Sequence, residues 1–133
     1  MKVIIHADGA SRGNPGQAAI GATIKDAEGR LLASISQSIG LATNNQAEYR
    51  AVIAALKEAV NLGAGEADVY LDSELVVKQV NGSYRVRNTA LKPLYLKVKE
   101  LTASFKSFRI SHIPRRQNAE ADELANAAFK PLH

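Results

Sequence analysis

The chain contains no cysteine and no tryptophan, and a single methionine, among its 133 residues. Without cysteine there can be no disulfide, no thiolate metal site and no thiol nucleophile, so any metal has to be held by oxygen or imidazole. No apolar run approaches the roughly 18 residues of a membrane span, and "MKVIIHAD" meets charge too early for a secretory leader. The expectation is a soluble, cytoplasmic protein with no membrane role. A Pro/Gly/Ser-rich linker, an internal repeat and a low-complexity segment are also missing, so residues 1–133 read as one domain, long enough to bury a core. What the chain does have is an excess of positive charge, 17 Lys and Arg against 13 Asp and Glu for a net +4, which leans toward an anionic partner.

Hydrophobic period orders the elements. "KVIIHAD" and "QAAIGATIKDAEGRLLASISQSI" read as three strands, the last two folded across "DAEG" into a hairpin. From Thr43 the period becomes helical, with Ala47, Ala51, Ala54, Ala55 and Val60 on one stripe, a capping box from Thr43 to Gln46 and a stop at Gly63. "ADVYLD" is a fourth strand and "SELVVKQVNG" a short helix. "NTALKPLYLKVKELTASF" is a further helix with Pro93 in its first turn. "FRISHI" is a fifth strand that ends near His112, and "NAEADELANAAF" a last helix capped by Asn118. This order describes a mixed α/β domain in which the first and fourth strands are parallel neighbours, both ending in aspartate, Asp8 and Asp72. Strand carboxyl ends are where α/β sheets bind ligands, and neighbouring strands lie about 4.8 Å apart, close enough for two carboxylates to share a cation.

Two helical acids join them. Glu48 precedes Ala51, Val52 and Ala55 by three, four and seven residues, which turns it toward the sheet; a carboxylate held there needs a cationic partner or a metal. Asp122 lies near the start of the last helix beside Ala121, Leu124, Ala125 and Ala128, where a helix-dipole role is the simpler alternative. As a set, Asp8, Glu48, Asp72 and Asp122 offer the all-oxygen donors that Mg²⁺ or Mn²⁺ prefers, and two divalent ions would offset their mutual repulsion. Such a pair can clamp a phosphodiester for in-line attack.

The order "DGASRGNPG", "TNNQAEYRA", "LDSELVVKQ" and "HIPRRQNAEADELAN" closely resembles ribonuclease H of type 1, over essentially the whole chain. The resemblance implies a ribonuclease H-like fold, a five-stranded mixed sheet whose first three strands are antiparallel, flanked by α-helices. It implies an endoribonuclease that cuts the RNA strand of RNA–DNA hybrids and leaves 5′-phosphate and 3′-hydroxyl ends. It implies two divalent ions, Mg²⁺ or Mn²⁺, with Asp8 bridging both, Glu48 and Asp72 serving the first and Asp122 the second. Gly9, Asn14, Thr43, Asn44 and Asn45 match substrate contacts to the hybrid's phosphate and minor groove, where 2′-hydroxyls are displayed. Asn14 also reads as a plain turn asparagine, and Thr43 and Asn44 as helix caps. The glycine-rich turn behind Asp8 then serves the close approach of nucleic acid.

Departures from the family pattern raise further expectations. Where many members carry a loop histidine that aids product release, this chain has "HIPRRQN", so Arg115 is the expected stand-in and Arg116 the second choice. His6 reads as a packed or edge residue, and His133 carries no signal. The segment "NGSYRVRNTALK" is too short for the lysine-rich handle of bacterial members. Tyr84 either replaces the missing channel tryptophan against the DNA sugar, with Arg85, Arg87 and Lys92 supplying charge, or belongs to the core. No hybrid-binding domain precedes the first strand, and a monomer without an obligatory protein partner is expected. The competing classes are an integrase or resolvase on the same fold, against which the "GNPG" and "TNN" elements speak, and a catalytically idle binding module, whose mark would be a lost acid.

Overall fold

Residues 1–129 are described by the computed structural model; His133 lies outside them. The strands are β1 (Lys2–Gly13), β2 (Gly16–Asp26), β3 (Leu31–Ala42), β4 (Glu66–Leu71) and β5 (Ser107–His112). The helices are α1 (Asn44–Asn61), α2 (Glu74–Val80), α3 (Lys92–Thr102) and α4 (Ala119–Ala127), with a short 3-10 turn over Arg115–Asn118. The five strands form one sheet in the order β3-β2-β1-β4-β5. β1, β2 and β3 are antiparallel, while β4 lies parallel to both β1 and β5. The first and fourth strands are thus parallel neighbours, as the pattern predicts.

Alternation along the strands gives the sheet two apolar faces. Ile20, Ala22 and Ile24 of β2 join Val3, Ile5 and Ala7 of β1 against Tyr49, Val52 and Leu56 of α1 in the main core. Leu56 is fully buried, so its truncation to alanine costs about 2–5 kcal/mol. The opposite face of β2 carries Gly21, where an added Cβ would stand 2.3 Å from the Ala121 carbonyl oxygen and 2.4 Å from the Ala125 nitrogen. That glycine lets α4 settle directly on the sheet. Val60, placed on the α1 stripe by period alone, is 38% exposed although the adjacent Ala59 is fully buried, so in the last turn it lies off the helix's covered face.

Three local signals act as expected. Thr43 accepts from the Gln46 backbone N–H at 3.1 Å while its own N–H donates to the Gln46 side chain at 2.8 Å, a complete capping box. Pro93 occupies the first turn of α3, where no intrahelical N–H is lost. His6 is packed in the central strand and stacks on Tyr70 with ring centroids 5.2 Å apart. Asn118 departs from its predicted role: it sits at the start of α4 without capping it through its side chain. The 3-10 turn rotates it inward, and its Nδ2 donates to the Ala7 carbonyl at 2.9 Å.

Candidate active site

Asp8 is not at a strand end. Its pairing with β2 continues unbroken to Gly13 opposite Gly16, so "GASRG" is hairpin strand and only Asn14 and Pro15 form the turn. What ends near Asp8 is the parallel partnership with β4, whose last register pair is His6 with Tyr70. Asp72 follows Leu71, the last residue of β4. The two carboxylates therefore emerge where two parallel strands part.

Helix α1 brings the third. Its buried face carries Glu48 over β1, and Gly9 is what permits the approach: a Cβ there would lie 2.2 Å from the Ala47 carbonyl carbon and 2.4 Å from the Glu48 nitrogen. Gly9 is bare to admit the helix, and it also lines the acid cleft. Ligand oxygens of Asp8, Glu48 and Asp72 all lie within 4.8 Å of one another.

No cation offsets the trio among the described residues' ion pairs. Burial, then the neighbouring Asp72 charge, pushes the Asp8 carboxyl from 3.8 up to about 7. Burial and the Asp8 charge hold Glu48 well above the ordinary range, opposed by a hydrogen bond from the Gly9 backbone. The Glu48 Oε2 atom is buried with no hydrogen-bond partner among the described residues. An unpartnered buried carboxylate oxygen costs several kcal/mol in general order of magnitude, about 1–3 or more, and so calls for a cation.

Asp122 faces the same cleft of about 520 Å³ from the first turn of α4, and its charge acts on Asp8. It lies outside the tight trio. Its partner is Arg115, whose Nη2 stands 3.5 Å from the Asp122 Oδ1. Arg115 lines the cleft and is 79% exposed, a side chain free to swing; Arg116 does not line it. Asn118, read from sequence only as a cap, ties the Arg115 segment to the residue before Asp8 through its bond to Ala7. Its burial at 1% exposure could not be read from one sequence, since it depends on α4 docking against β1.

The polar residues beside the acids form a frame. The Ser11 backbone N–H donates to the Asn44 side chain at 2.8 Å, and the Asn44 N–H donates to the Asn14 side chain at 3.2 Å. The Ser11 hydroxyl donates to the Ala42 carbonyl at 2.8 Å and also contacts the Gly13 carbonyl. Ser11, missed by motif reading, therefore pins the β1–β2 hairpin to the start of α1; its place three residues before Asn14 was the available signal. Asn44 and Asn45 line the acid cleft, whereas Asn14 and Thr43, with Asn45, line an adjoining hollow of about 230 Å³. Tyr84 is 46% exposed, which closes the core alternative. It lines neither hollow; its hydroxyl accepts from Lys78 at 3.2 Å and its ring lies 4.9 Å from that ammonium. Arg85, Arg87 and Lys92 are exposed nearby in sequence.

Comparison with known proteins agrees with this architecture. Residues 6–128 match the family described as "Reverse transcriptase-like". A bifunctional protein of Mycobacterium tuberculosis is 49% identical over 97% of this chain, which spans only 36% of that protein's length. The solved N-terminal RNase H domain of that protein, studied as a fusion with maltose-binding protein, superposes with a TM-score of 0.95 over 98% of this chain and all of the solved one, at 47% identity. The ribonuclease HI of Halobacterium salinarum is 44% identical over 94% of this chain and 64% of its own length. LC11-RNase H1 in complex with an RNA/DNA hybrid superposes with a TM-score of 0.90 at 42% identity, covering 95% of each chain.

Proposed function

Since the chain belongs to the type 1 ribonuclease H family, we propose that it is a metal-dependent endoribonuclease that hydrolyses the RNA strand of RNA–DNA hybrids, leaving 5′-phosphate and 3′-hydroxyl ends. The observation that carries this reading is the trio of buried Asp8, buried Glu48 and half-buried Asp72, with the Glu48 Oε2 unpartnered. Three hard oxygen donors, without a thiolate or imidazole among them, fit Mg²⁺ or Mn²⁺. Asp8, Glu48 and Asp72 would hold one ion, and Asp8 with Asp122 the second. Bound there, two divalent ions supply the positive charge that activates a water and stabilises the leaving 3′-oxygen.

The chain's own groups do the rest. Asp8 stands on β1 and Asp72 directly follows β4, so both carboxylates are held by the sheet, and the α1 capping box fixes Glu48 along the third direction. The linked side chains of Asn14 and Asn44, with Asn45 and the Thr43 hydroxyl, present short polar groups beside the cleft, suited to testing 2′-hydroxyls in a minor groove. The Thr43 oxygen accepts within the capping box, which leaves its own O–H to donate to a phosphate. Arg115 neutralises the cleaved phosphate and escorts it out, releasing Asp122 as it swings. Among the described residues no helix is long and apolar enough to cross a membrane. We take residues 1–133 to form one catalytic domain that acts in the cytoplasm as a monomer, with Tyr84 against the DNA strand.

The test pairs one labelled RNA strand in turn with DNA, with RNA or with nothing, in Mg²⁺, in Mn²⁺ and in EDTA. Metal-dependent cutting of the RNA in the hybrid alone is expected. Binding of the hybrid without cutting in either metal overturns the enzyme and leaves a binding module.

A further inference from the structure

A second cavity, of about 580 Å³, shares no lining residue with the acid cleft. It lies where β3 meets α1 and α3. Its floor is apolar, built from Ile35 and Ile39 of β3, Ile53 of α1 and Leu94 of α3, all partly buried against the core. Its rim is cationic: Arg50, Lys57 and Lys97 stand around it against the single acid Glu58. Arg50 and Leu94 also line an adjoining hollow of about 290 Å³ that extends the groove to Leu41, which is 79% exposed.

The strand along this groove is open. β3 forms one edge of the sheet, paired with β2 alone. Its sequence "LLASISQSIGLA" carries no charge and no proline, two of the devices that blunt an exposed edge, and only the register shifts opposite Ala18/Ala19 and Ile24/Lys25 interrupt it. The opposite edge, β5, carries Arg109 and His112. A strand added to β3 would turn every second side chain over the groove that Ile35, Gln37 and Ile39 already face.

Charge decides the occupant. A second copy, related by a two-fold axis through β3, would set these cations against their own counterparts. A nucleic-acid backbone has no use for an isoleucine floor. Lys57 makes no ion pair among the described residues, and Lys97 reaches only the exposed Glu100 at 3.3 Å, so both are available to acids. We propose that the groove between β3, α1 and α3 docks an extended segment of a partner protein in which acidic and apolar side chains alternate, joined to the sheet along the β3 edge. The apolar side chains enter the isoleucine floor while the carboxylates meet Arg50, Lys57 and Lys97. The proposal stands apart from the nuclease reading, because no residue of the groove belongs to the acid cleft.

A fluorescein-labelled hexapeptide alternating aspartate with phenylalanine, titrated with the full chain and read by anisotropy, tests it. Its counterpart with lysine for aspartate is the control. Binding of the acidic peptide with a Kd of about 1–100 µM is expected, with none by the basic one. Lys57→Glu should weaken it about tenfold or more while hybrid cleavage stays unchanged, and amide NMR shifts should concentrate in Ser34–Leu41 and the facing side of α1. Equal binding of both peptides, no binding by either, or indifference to Lys57→Glu overturns the proposal. So does sedimentation that finds a dimer dissolved by Ile35→Lys, which would assign the edge to a second copy.

Discussion

Two groups of acids in this small domain carry the same functional group and opposite electrostatics. Asp26, Glu74 and Glu120 each lie beside a cation, Glu74 and Glu120 at the surface and Asp26 buried against the exposed Arg30. The Arg30 backbone N–H, aided by its guanidinium, holds Asp26 below the ordinary range; Lys78 does so for Glu74 and Lys25 for Glu120. Asp8 and Glu48 lie inside, with other acids for neighbours, and both are pushed up. These paired acids favour the fold, weakly where the pair is exposed. The inner acids oppose it, and their placement makes sense as preparation for positive charge that the protein itself does not supply.

The largest effect expected from breaking this contrast is on chemistry. Asp8→Asn removes the charge common to both proposed ions and should lower hybrid cleavage by about a thousandfold or more, with hybrid binding largely kept; single-turnover rates and a filter-binding titration measure the two separately. Retained activity would remove Asp8 from the site.

Next comes stability without metal. An acid whose folded-state pKa is raised from 3.8 to about 7 is protonated in the folded protein over a window in which the unfolded chain has already ionised it. Stability in EDTA should therefore fall as pH rises from about 4 to about 7 and stay low above that, the reverse of a salt-bridged acid. Asp8→Asn should flatten the slope and stabilise the metal-free protein at pH 8 by about 1–3 kcal/mol, read from denaturant melts at pH 5 and pH 8. An unchanged slope would mean that the trio is already compensated.

A smaller effect belongs to Arg115, the one cation lining the acid cleft among the described residues. Arg115→Ala should slow steady-state turnover by about tenfold and single-turnover cleavage much less, because the side chain reaches Asp122 at 3.5 Å and is otherwise in solvent. Equal losses in both would make it part of the chemistry. The smallest effect is Asp26→Asn. It should lower Tm slightly at pH 7 and not at pH 2.5, since a lowered pKa contributes stability above 3.8 that disappears as the group protonates.

Local signals in the sequence carried most of the fold. The change of period at Thr43, the capping box, Pro93 in a first turn and the "DAEG" hairpin depend on neighbours within about one turn of chain, so one sequence suffices to read them. The candidate acids were legible for a related reason: each follows from its position on one element, on a strand or on an early turn of a helix. That Asp8, Glu48 and Asp72 converge follows from the parallel placement of β1 beside β4, itself implied by the order of elements.

What depended on the close packing of particular residues from two elements was closed to the sequence. Gly9 read as a substrate contact, and only the structure shows that Ala47 fills the space a Cβ there would need. Asn118 looked like a cap until the 3-10 turn aimed it at Ala7. Asp8 looked like a strand end, because nothing local tells a hairpin arm from a loop when the partner residues are glycine, alanine and glutamine of β2. The sequence by itself determined the elements, their order and the acids, because these rest on period and on neighbours along the chain. Only the tertiary structure decided which side chains are buried without a partner and what each glycine makes room for, because burial and close approach are properties of packed pairs.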